Sequence, residues 1–362
     1  MSKNGFDMKR FTSMRLFLPI ICLAAMLIVA AVTIPGFFKI SITNGVLYGY
    51  PIDVVNRASE LAILAVGMTL VTAASGGQDI SVGAVMAVAG AVCCQILSGG
   101  EVSVTELAAP ILLAMLAGIL VAGVCGLFNG VLVSYLDIQP MVATLILFTA
   151  GRGIAQLVTK GQITYIRVDS YMVAGGYVGP VPTPIIIAAV VVAIAYFVLK
   201  KTALGLYIES VGINGNASRL VGLNSRRIKL LTYVLCGLLA GVAGIVASSR
   251  IYSADANNLG LNLEMDAILA VALGGNILSG GKFSLMGSVI GAATIQTLST
   301  SLYAMGVSGD QLPVYKAVVV IIIVVLQSPV FKKYTAGLKS KKAAPKAAVE
   351  GGNQEWERTK ER

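Results

Sequence analysis

Histidine is absent from this 362-residue chain, which removes a histidine general base, a histidine zinc ligand and any Ser-His-Asp triad. Charge is scarce: Asp, Glu, Lys and Arg make up 12% of the residues, about half of the roughly 25% usual in soluble globular proteins. Cysteine is limited to Cys22, Cys93, Cys94, Cys125 and Cys236, each inside an apolar run and none in a C-x-x-C pair. That pattern indicates packing residues and excludes a disulfide framework. What remains is apolar, with 56% hydrophobic residues and a mean hydropathy of +0.84, the composition of a membrane protein. The net charge of +10 gathers at the two ends and in one loop, and gives no continuous basic face for nucleic acid.

A crossing helix needs about 20 apolar residues. Stretches with little or no charge run from Leu16 to Pro35, Ala58 to Ala74, Ile80 to Leu97, Leu107 to Tyr135, Met141 to Val158, Pro184 to Leu199, Leu230 to Ser248, Ala267 to Leu278, Ser284 to Ala304 and Pro313 to Leu326. About ten transmembrane helices in an all-α polytopic fold are therefore expected. The first is preceded by Lys9, Arg10 and Arg15, as in a signal peptide, but it is long and lacks a small-x-small cleavage site, so it is read as an uncleaved span. Ala267 to Leu278 is short and broken by Gly274 and Gly275, and by itself also fits a re-entrant loop.

Lysine and arginine counting orients the chain. The loop after the sixth stretch carries Lys200, Lys201, Arg219, Arg226, Arg227 and Lys229 against Glu209 alone, whereas the loop after the third carries Glu101 and Glu106 and no basic residue. The first is expected in the cytoplasm and the second outside. Both ends are basic, so both termini are expected inside, which requires an even number of crossings. The expected organisation is a basic cytoplasmic N-terminus over 1–15, a transmembrane domain over 16–330 with a cytoplasmic loop at 200–229, and a polar tail over 331–362 with too little apolar content to fold alone. The lysines of that tail suit anionic lipid.

Gly126 and Gly130, Gly237 and Gly241, and Gly287 and Gly291 are spaced four apart, which lets membrane helices approach closely. A faint parallel repeat is also visible. Ala62-Ile63-Leu64-Ala65-Val66 recurs as Ala267-Ile268-Leu269-Ala270-Val271, and the copies lead to the glycine pairs Gly76-Gly77 and Gly280-Gly281. Transporters are often built from such repeats.

Three polar features interrupt the apolar pattern. Gly76-Gly77-Gln78-Asp79-Ile80-Ser81-Val82-Gly83 reads as a helix break, with Asp79 capping the next helix, and a direct contact with solute is the alternative. Asn129, Thr144, Arg152 and Gln156 fall on the fourth and fifth stretches, where polar groups normally face the bundle interior and suit a polyhydroxylated solute. Arg152 has a second reading, snorkelling to the external end. Asn276 to Phe283 fails the phosphate-loop pattern at both Asn276 and Phe283, so the chain has no nucleotide-binding motif of its own. No catalytic residue, metal site or cofactor is expected, and the chain does not read as an enzyme.

Four ordered motifs between about Pro51 and Ser328 resemble the membrane permeases of bacterial ATP-binding-cassette sugar importers of the ribose/galactose type. GGQDISVG is similar to the GG-[IL]-DLSVG of that family, and Gly126 to Thr144 to its NG…P-[FM]-[IV]-AT block. Thr202 to Gly222 resembles its cytoplasmic loop, and Gly274 to Gly287 its late glycine-rich block. Within the family, Pro51-Ile52-Asp53, Gly151-Arg152-Gly153, Lys201-Thr202-Ala203-Leu204-Gly205 and Ala254-Asp255-Ala256-Asn257-Asn258 look most like permeases for galactofuranose. Gln78 stands where the family has an apolar residue, and Ser75 is additional before the glycines.

The resemblance implies a permease of the inner membrane giving a sugar, galactofuranose or a related monosaccharide, an alternating-access path. It implies as partners an ATP-binding-cassette ATPase, an extracytoplasmic sugar-binding protein and a second permease copy or homologous permease, and no nucleic acid. It assigns gating to Gly76, Gly77, Asp79 and Ser81, and ATPase coupling to Gly205, Glu209, Gly212, Asn214, Ala217, Leu220 and Gly222. The residues themselves point the same way for the loop at 200–229, where Leu204, Leu206, Ile208, Leu220 and Leu223 alternate with glycines as in a docking surface. A surface helix held on the bilayer by Arg219, Arg226 and Arg227 is the other reading. An ion-coupled secondary transporter is the alternative function and needs a charged relay inside the bundle. Asp79, Glu264 and Asp266 fall too near expected helix ends for that, and nothing resembles the repeated selectivity filter of a channel.

Overall fold

The computed structural model describes residues 16–43 and 45–327. The N-terminal segment 1–15 and the tail 331–362 lie outside the described residues. The chain forms α1 (Phe17–Thr33), α2 (Tyr50–Ser75), α3 (Val82–Ser98), α4 (Ile111–Ser134), α5 (Pro140–Val158), α6 (Thr183–Lys201), α7 (Leu204–Ile213), α8 (Gly215–Leu220), α9 (Ser225–Arg250), α10 (Leu263–Leu273), α11 (Leu285–Ala304) and α12 (Leu312–Gln327). Among the described residues α2, α4, α5, α6 and α9 are long and apolar enough to cross a membrane.

The distribution of side chains is that of a membrane bundle. Leu112, Leu116, Leu120 and Val124 on α4, and Ile186, Val190, Ile194 and Phe197 on α6, point outward, while Thr69, Thr72, Asn129, Thr144, Ser248 and Glu264 are buried. In water this arrangement is costly. In lipid the outward apolar faces need no cover, and polar groups find partners inside.

Helix α9 runs through the middle, packed on α2, α3 and α4. Its glycines explain the closeness of these crossings: a Cβ on Gly237 would lie 2.8 Å from the Cα of Gly126 on α4, and one on Gly241 would lie 3.0 Å from the Cα of Ile119. Gly287 and Gly291 of α11 abut Gly274 and Ala270 in the same way. The small-residue pairs therefore sit at helix crossings, where van der Waals contact between backbones replaces the missing hydrophobic drive.

Short strands join the helices. At one end of the bundle β3 (Ser103–Val104), β4 (Thr164–Ile166) and β7 (Ser253–Ala254) form a three-stranded sheet, parallel between β3 and β4 and antiparallel between β4 and β7. Next to it a 3₁₀ turn, Asp169–Val173, inserts Tyr171 between α3 and α9. The Tyr171 hydroxyl lies 2.7 Å from Ser248 Oγ and 3.3 Å from Cys94 Sγ. A three-residue pairing of β1 with β2 (Ser41–Thr43 and Val46–Tyr48) and a two-residue pairing of β5 with β6 (Tyr177–Val178 and Val181–Pro182) close other loops. The all-helical expectation thus needs these small sheets added.

The eighth apolar stretch differs from the expected Ala267 to Leu278. Its helix, α10, begins earlier, at Leu263, with Glu264 and Asp266 in the first turn, where acidic groups complement the helix dipole. It ends at Gly274, and Gly275 at φ +76° leaves the helical region. Eleven residues at about 1.5 Å each reach roughly half of a ~30 Å hydrocarbon core. The helix α12 belongs to a second compact unit beginning at Gly309, and its Val314, Val318, Ile321 and Val325 are exposed.

Candidate functional site

The bundle holds three polar assemblies. The first is the turn between α2 and α3. Helix α2 ends at Gly76, whose φ of +67° is a left-handed conformation that glycine adopts without strain. The chain then climbs back beside α2, bringing the Asp79 amide to 3.4 Å from Met68 Sδ. Asp79 is 2% exposed, and its Oδ1 accepts from the Ser81 amide at 2.9 Å and the Ser81 hydroxyl at 2.6 Å.

Two other helices fasten this turn. Asn129 on α4 donates its Nδ2 to Ser81 Oγ at 2.8 Å and reaches Asp79 Oδ1 at 3.5 Å. Thr144 on α5 accepts from the Ile80 amide at 3.2 Å and donates to the Pro140 carbonyl at 2.9 Å. Gly77 sits against Pro140, with room for no side chain: a Cβ would fall 2.6 Å from Pro140 Cγ. The residue standing at the N-cap of α3 is Ser81, not Asp79; the Asp79 carboxylate binds the cap residue from two positions upstream. The additional Ser75 donates to the Val71 carbonyl at 2.8 Å and approaches the Tyr233 hydroxyl at 3.4 Å, so it is used in joining α2 to α9.

The second assembly lies further along α5. Arg152 donates Nη1 to the carbonyls of Leu259 at 2.6 Å and Ala256 at 3.1 Å, and Gln156 donates Nε2 to Asn257 Oδ1 at 2.5 Å. Together they hold the turn before α10. Glu264, 1% exposed, packs its Oε2 on Gly83, where a Cβ would collide with it. Arg152 Nη2 and Glu264 Oε2 are both buried without a hydrogen-bond partner among the described residues. The structure thus divides the four sequence candidates into two pairs, Asn129 with Thr144 at the break and Arg152 with Gln156 at the turn over residues 255–262. Glu264, which the sequence places near a helix end, is buried beside them, where the glycine at position 83 makes room for it.

The third assembly is the end of the bundle carrying α7 and α8. Gly212 of α7 fits between the Ala73 carbonyl and the Gly281 amide, and a Cβ would lie 2.6 Å from the latter. Gly281 in turn donates its amide to the Ala73 carbonyl at 2.9 Å. Ile208 is fully buried against Leu70, Ala73 and Ala74. The second glycine-rich turn is stapled by Asn276, which donates to the Val271 carbonyl at 3.1 Å and Ser288 Oγ at 2.8 Å and accepts from the Ser284 amide at 2.5 Å. The C-terminus of α2, both glycine turns and α7 therefore form one contact.

Asn214 caps α8, accepting from the amides of Asn216 at 3.1 Å and Ala217 at 3.0 Å. Beyond that cap the surface is apolar and open: Leu220 is 90% and Val221 76% exposed, and Ala217 is also exposed. Gly205 packs on the Leu199 carbonyl, Gly222 turns at φ +88°, and Glu209 lines a groove of about 480 Å³ with Lys200, Tyr196 and Phe283.

Residues 50–327 match the family described as Branched-chain amino acid transport system / permease component. The chain is 46% identical over 325 residues to the galactofuranose transporter permease protein YtfT of Escherichia coli (strain K12), covering 89% of this chain and 92% of that protein. It is 37% identical over 351 residues to the fructose import permease protein FruF of Bifidobacterium longum (strain NCC 2705), covering 94% and 95%. It is 35% identical over 314 residues to the ribose import permease protein RbsC of Escherichia coli (strain K12), covering 85% and 92%. No solved structure matches.

Proposed function

The chain belongs to the permease-component family of branched-chain amino acid transport systems, and on that premise we propose that it is the membrane permease of a bacterial ATP-binding-cassette sugar importer. The sugar is a monosaccharide of the galactofuranose kind, the reading that the 46% identity over 325 residues carries. It is a transport subunit of the inner membrane, and ATP is hydrolysed by a partner.

In this reading α1–α6 and α9–α12 make ten crossings with both termini in the cytoplasm, α10 being completed by the turn at 274–284. The end bearing α7 and α8 faces the cytoplasm and receives the ATPase, and the end bearing the β3–β4–β7 sheet receives the sugar-binding protein. The two glycine turns that meet at Ala73 and Gly281 are the corresponding points of a parallel repeat, and Gly76, Gly77, Asp79 and Ser81 are the gating break. Because Gly212 touches the end of α2 at Ala73 and the second glycine turn at Gly281, and Gly280 of that turn abuts Gly76, a displacement of α7 by the ATPase is passed to this break. Gly205, Glu209 and Gly222 belong to the same coupling unit.

The upper half of α5 supplies the wall of the path. Thr149, Gly153 and Gln156 are exposed at helical spacing i, i+4, i+7 on one face, a small and polar stripe suited to sugar hydroxyls and facing a second permease copy. Asn129 and Thr144 support the path from behind by fixing the break, and Arg152 sets the turn above it.

The test is co-expression with the adjacent ATPase and binding-protein genes, followed by purification and uptake into proteoliposomes. ATP-dependent uptake of a furanose sugar, with the ATPase co-purifying, is the expected result. Uptake driven by an ion gradient without any ATPase supports the secondary transporter instead and overturns the proposal.

A further inference from the structure

We propose that a pocket between the α4–α5 turn and the start of α9 binds a phosphate group, supplied by an anionic phospholipid or as free phosphate. The pocket encloses about 220 Å³ and is lined by Ser134, Asp137, Gly215, Asn216, Arg219, Ser225, Arg226 and Lys229. Arg219, Arg226 and Lys229 bring cationic side chains from α8 and α9 to one small space, opposed only by Asp137. That carboxylate does not close the site: it stands 3.6 Å from Arg226, and its own side chain is 72% exposed.

Two further features fit an anion. The 26-residue helix α9 begins here, with Ser225 as its first residue, and a helix start favours negative charge. Ser134, 1% exposed at the end of α4, lines the pocket, and its hydroxyl is buried without a hydrogen-bond partner among the described residues. A phosphate oxygen supplies the missing acceptor. Arginine pairs with phosphate by parallel N–H donors, which makes two arginines and a lysine a stronger phosphate set than a carboxylate set.

A lipid source is consistent with the neighbouring surface. Val131, Tyr135 and Leu136, on the last turn of α4 and just beyond it, are exposed and offer an apolar track for acyl chains leading to the pocket. With the orientation proposed above, this is the cytoplasmic leaflet. The pocket lies on the Asn216 and Arg219 side of α8, leaving Ala217, Leu220 and Val221 outward. A bound phosphate thus fixes α8 to the bundle while its apolar face stays open to a partner.

The full chain in nanodiscs of phosphatidylcholine with one-fifth phosphatidylglycerol, without any ATPase, tests this by native mass spectrometry, alongside thermal shift with inorganic phosphate. The wild type is expected to retain phosphatidylglycerol, or to be stabilised by phosphate, with roughly tenfold higher affinity than Arg219→Gln/Arg226→Gln, the loss expected for charge-assisted bonds. Asp137→Asn is expected to move affinity the opposite way, and asparagine tolerates the left-handed backbone at φ +52°. Retention of phosphatidylglycerol identifies a lipid, and a phosphate shift without lipid preference identifies the free anion. Equal binding by wild type, Asp137→Asn and the double variant, all of them folded by size-exclusion chromatography, overturns the proposal. Because no ATPase or sugar enters the experiment, this outcome leaves the transport reading untouched.

Discussion

Gly212 of α7 is pressed against the carbonyl of Ala73 at the end of α2, in the space where any other residue would place a Cβ. The contact exists because two glycine turns and a helix terminus meet there, and it joins α7 to the end of the helix that leads into the Asp79 turn. Gly212→Ala forces the backbones apart, an overpacking cost of about 1–3 kcal/mol. The expected result is a lower melting temperature in detergent together with reduced uptake. Gly215→Ala is the control, since its Cβ meets Ser225 only at ordinary contact distance, 3.7 Å. Similar melting temperatures for the two variants count against the close contact.

Asp79 is a bonded structural acceptor, so the shape and hydrogen bonding of its side chain matter more than its charge. Asp79→Asn keeps an oxygen for the Ser81 amide and hydroxyl. Asp79→Leu leaves these buried donors unpaired, at about 1–3 kcal/mol each. Uptake and thermal denaturation should both rank wild type, Asn and then Leu. Equal transport by the two variants contradicts this account of the turn.

The sequence exposes local chemistry and hides depth. Gly76 and the glycine pairs at helix crossings are legible because each acts through its own neighbours or a fixed spacing. The position of Glu264 is not. Its burial depends on α10 starting far enough inside the bundle to meet Gly83, which no periodicity records. The sequence leaves Arg152 equally open to an interior or a snorkelling reading, since its partners are backbone carbonyls of Ala256 and Leu259, and carbonyls carry no sequence signature. The end of α10 is hidden for a related reason: hydropathy runs on through Ile277 and Leu278, while the backbone has already turned at Gly275.

Arg152 organises that turn through two carbonyls at once, which a lysine ammonium on its flexible stem does less well. Arg152→Met removes both bonds and leaves Glu264 without its neighbouring cation. Hydrogen exchange over residues 255–262 is expected to rise, and uptake to fall by at least about tenfold, the equivalent of one charge-assisted bond. Arg152→Lys is expected to recover part of the uptake while exchange stays raised. Unchanged exchange in the Met variant would show that the turn is held by other means.

The apolar face of α8 gives the most direct test of coupling. Leu220 is 90% and Val221 76% exposed at the end of a helix that is capped by Asn214 and follows α7, whose Ile208 and Gly212 pack on the bundle. A rigidly mounted apolar face of this kind is a docking element, and the alternative, a helix lying on the bilayer, predicts a different response to charge. Ala217→Arg adds a cation that an anionic bilayer would welcome, but that a protein groove shaped for alanine would reject. Leu220→Asp disfavours both. If α8 docks the ATPase, both variants insert at normal abundance, lose co-purifying ATPase and lose uptake. If α8 rests on lipid, Ala217→Arg transports normally and only Leu220→Asp is impaired. Measuring ATPase co-purification beside uptake for the pair separates the two, and normal uptake by either variant removes α8 from the coupling interface.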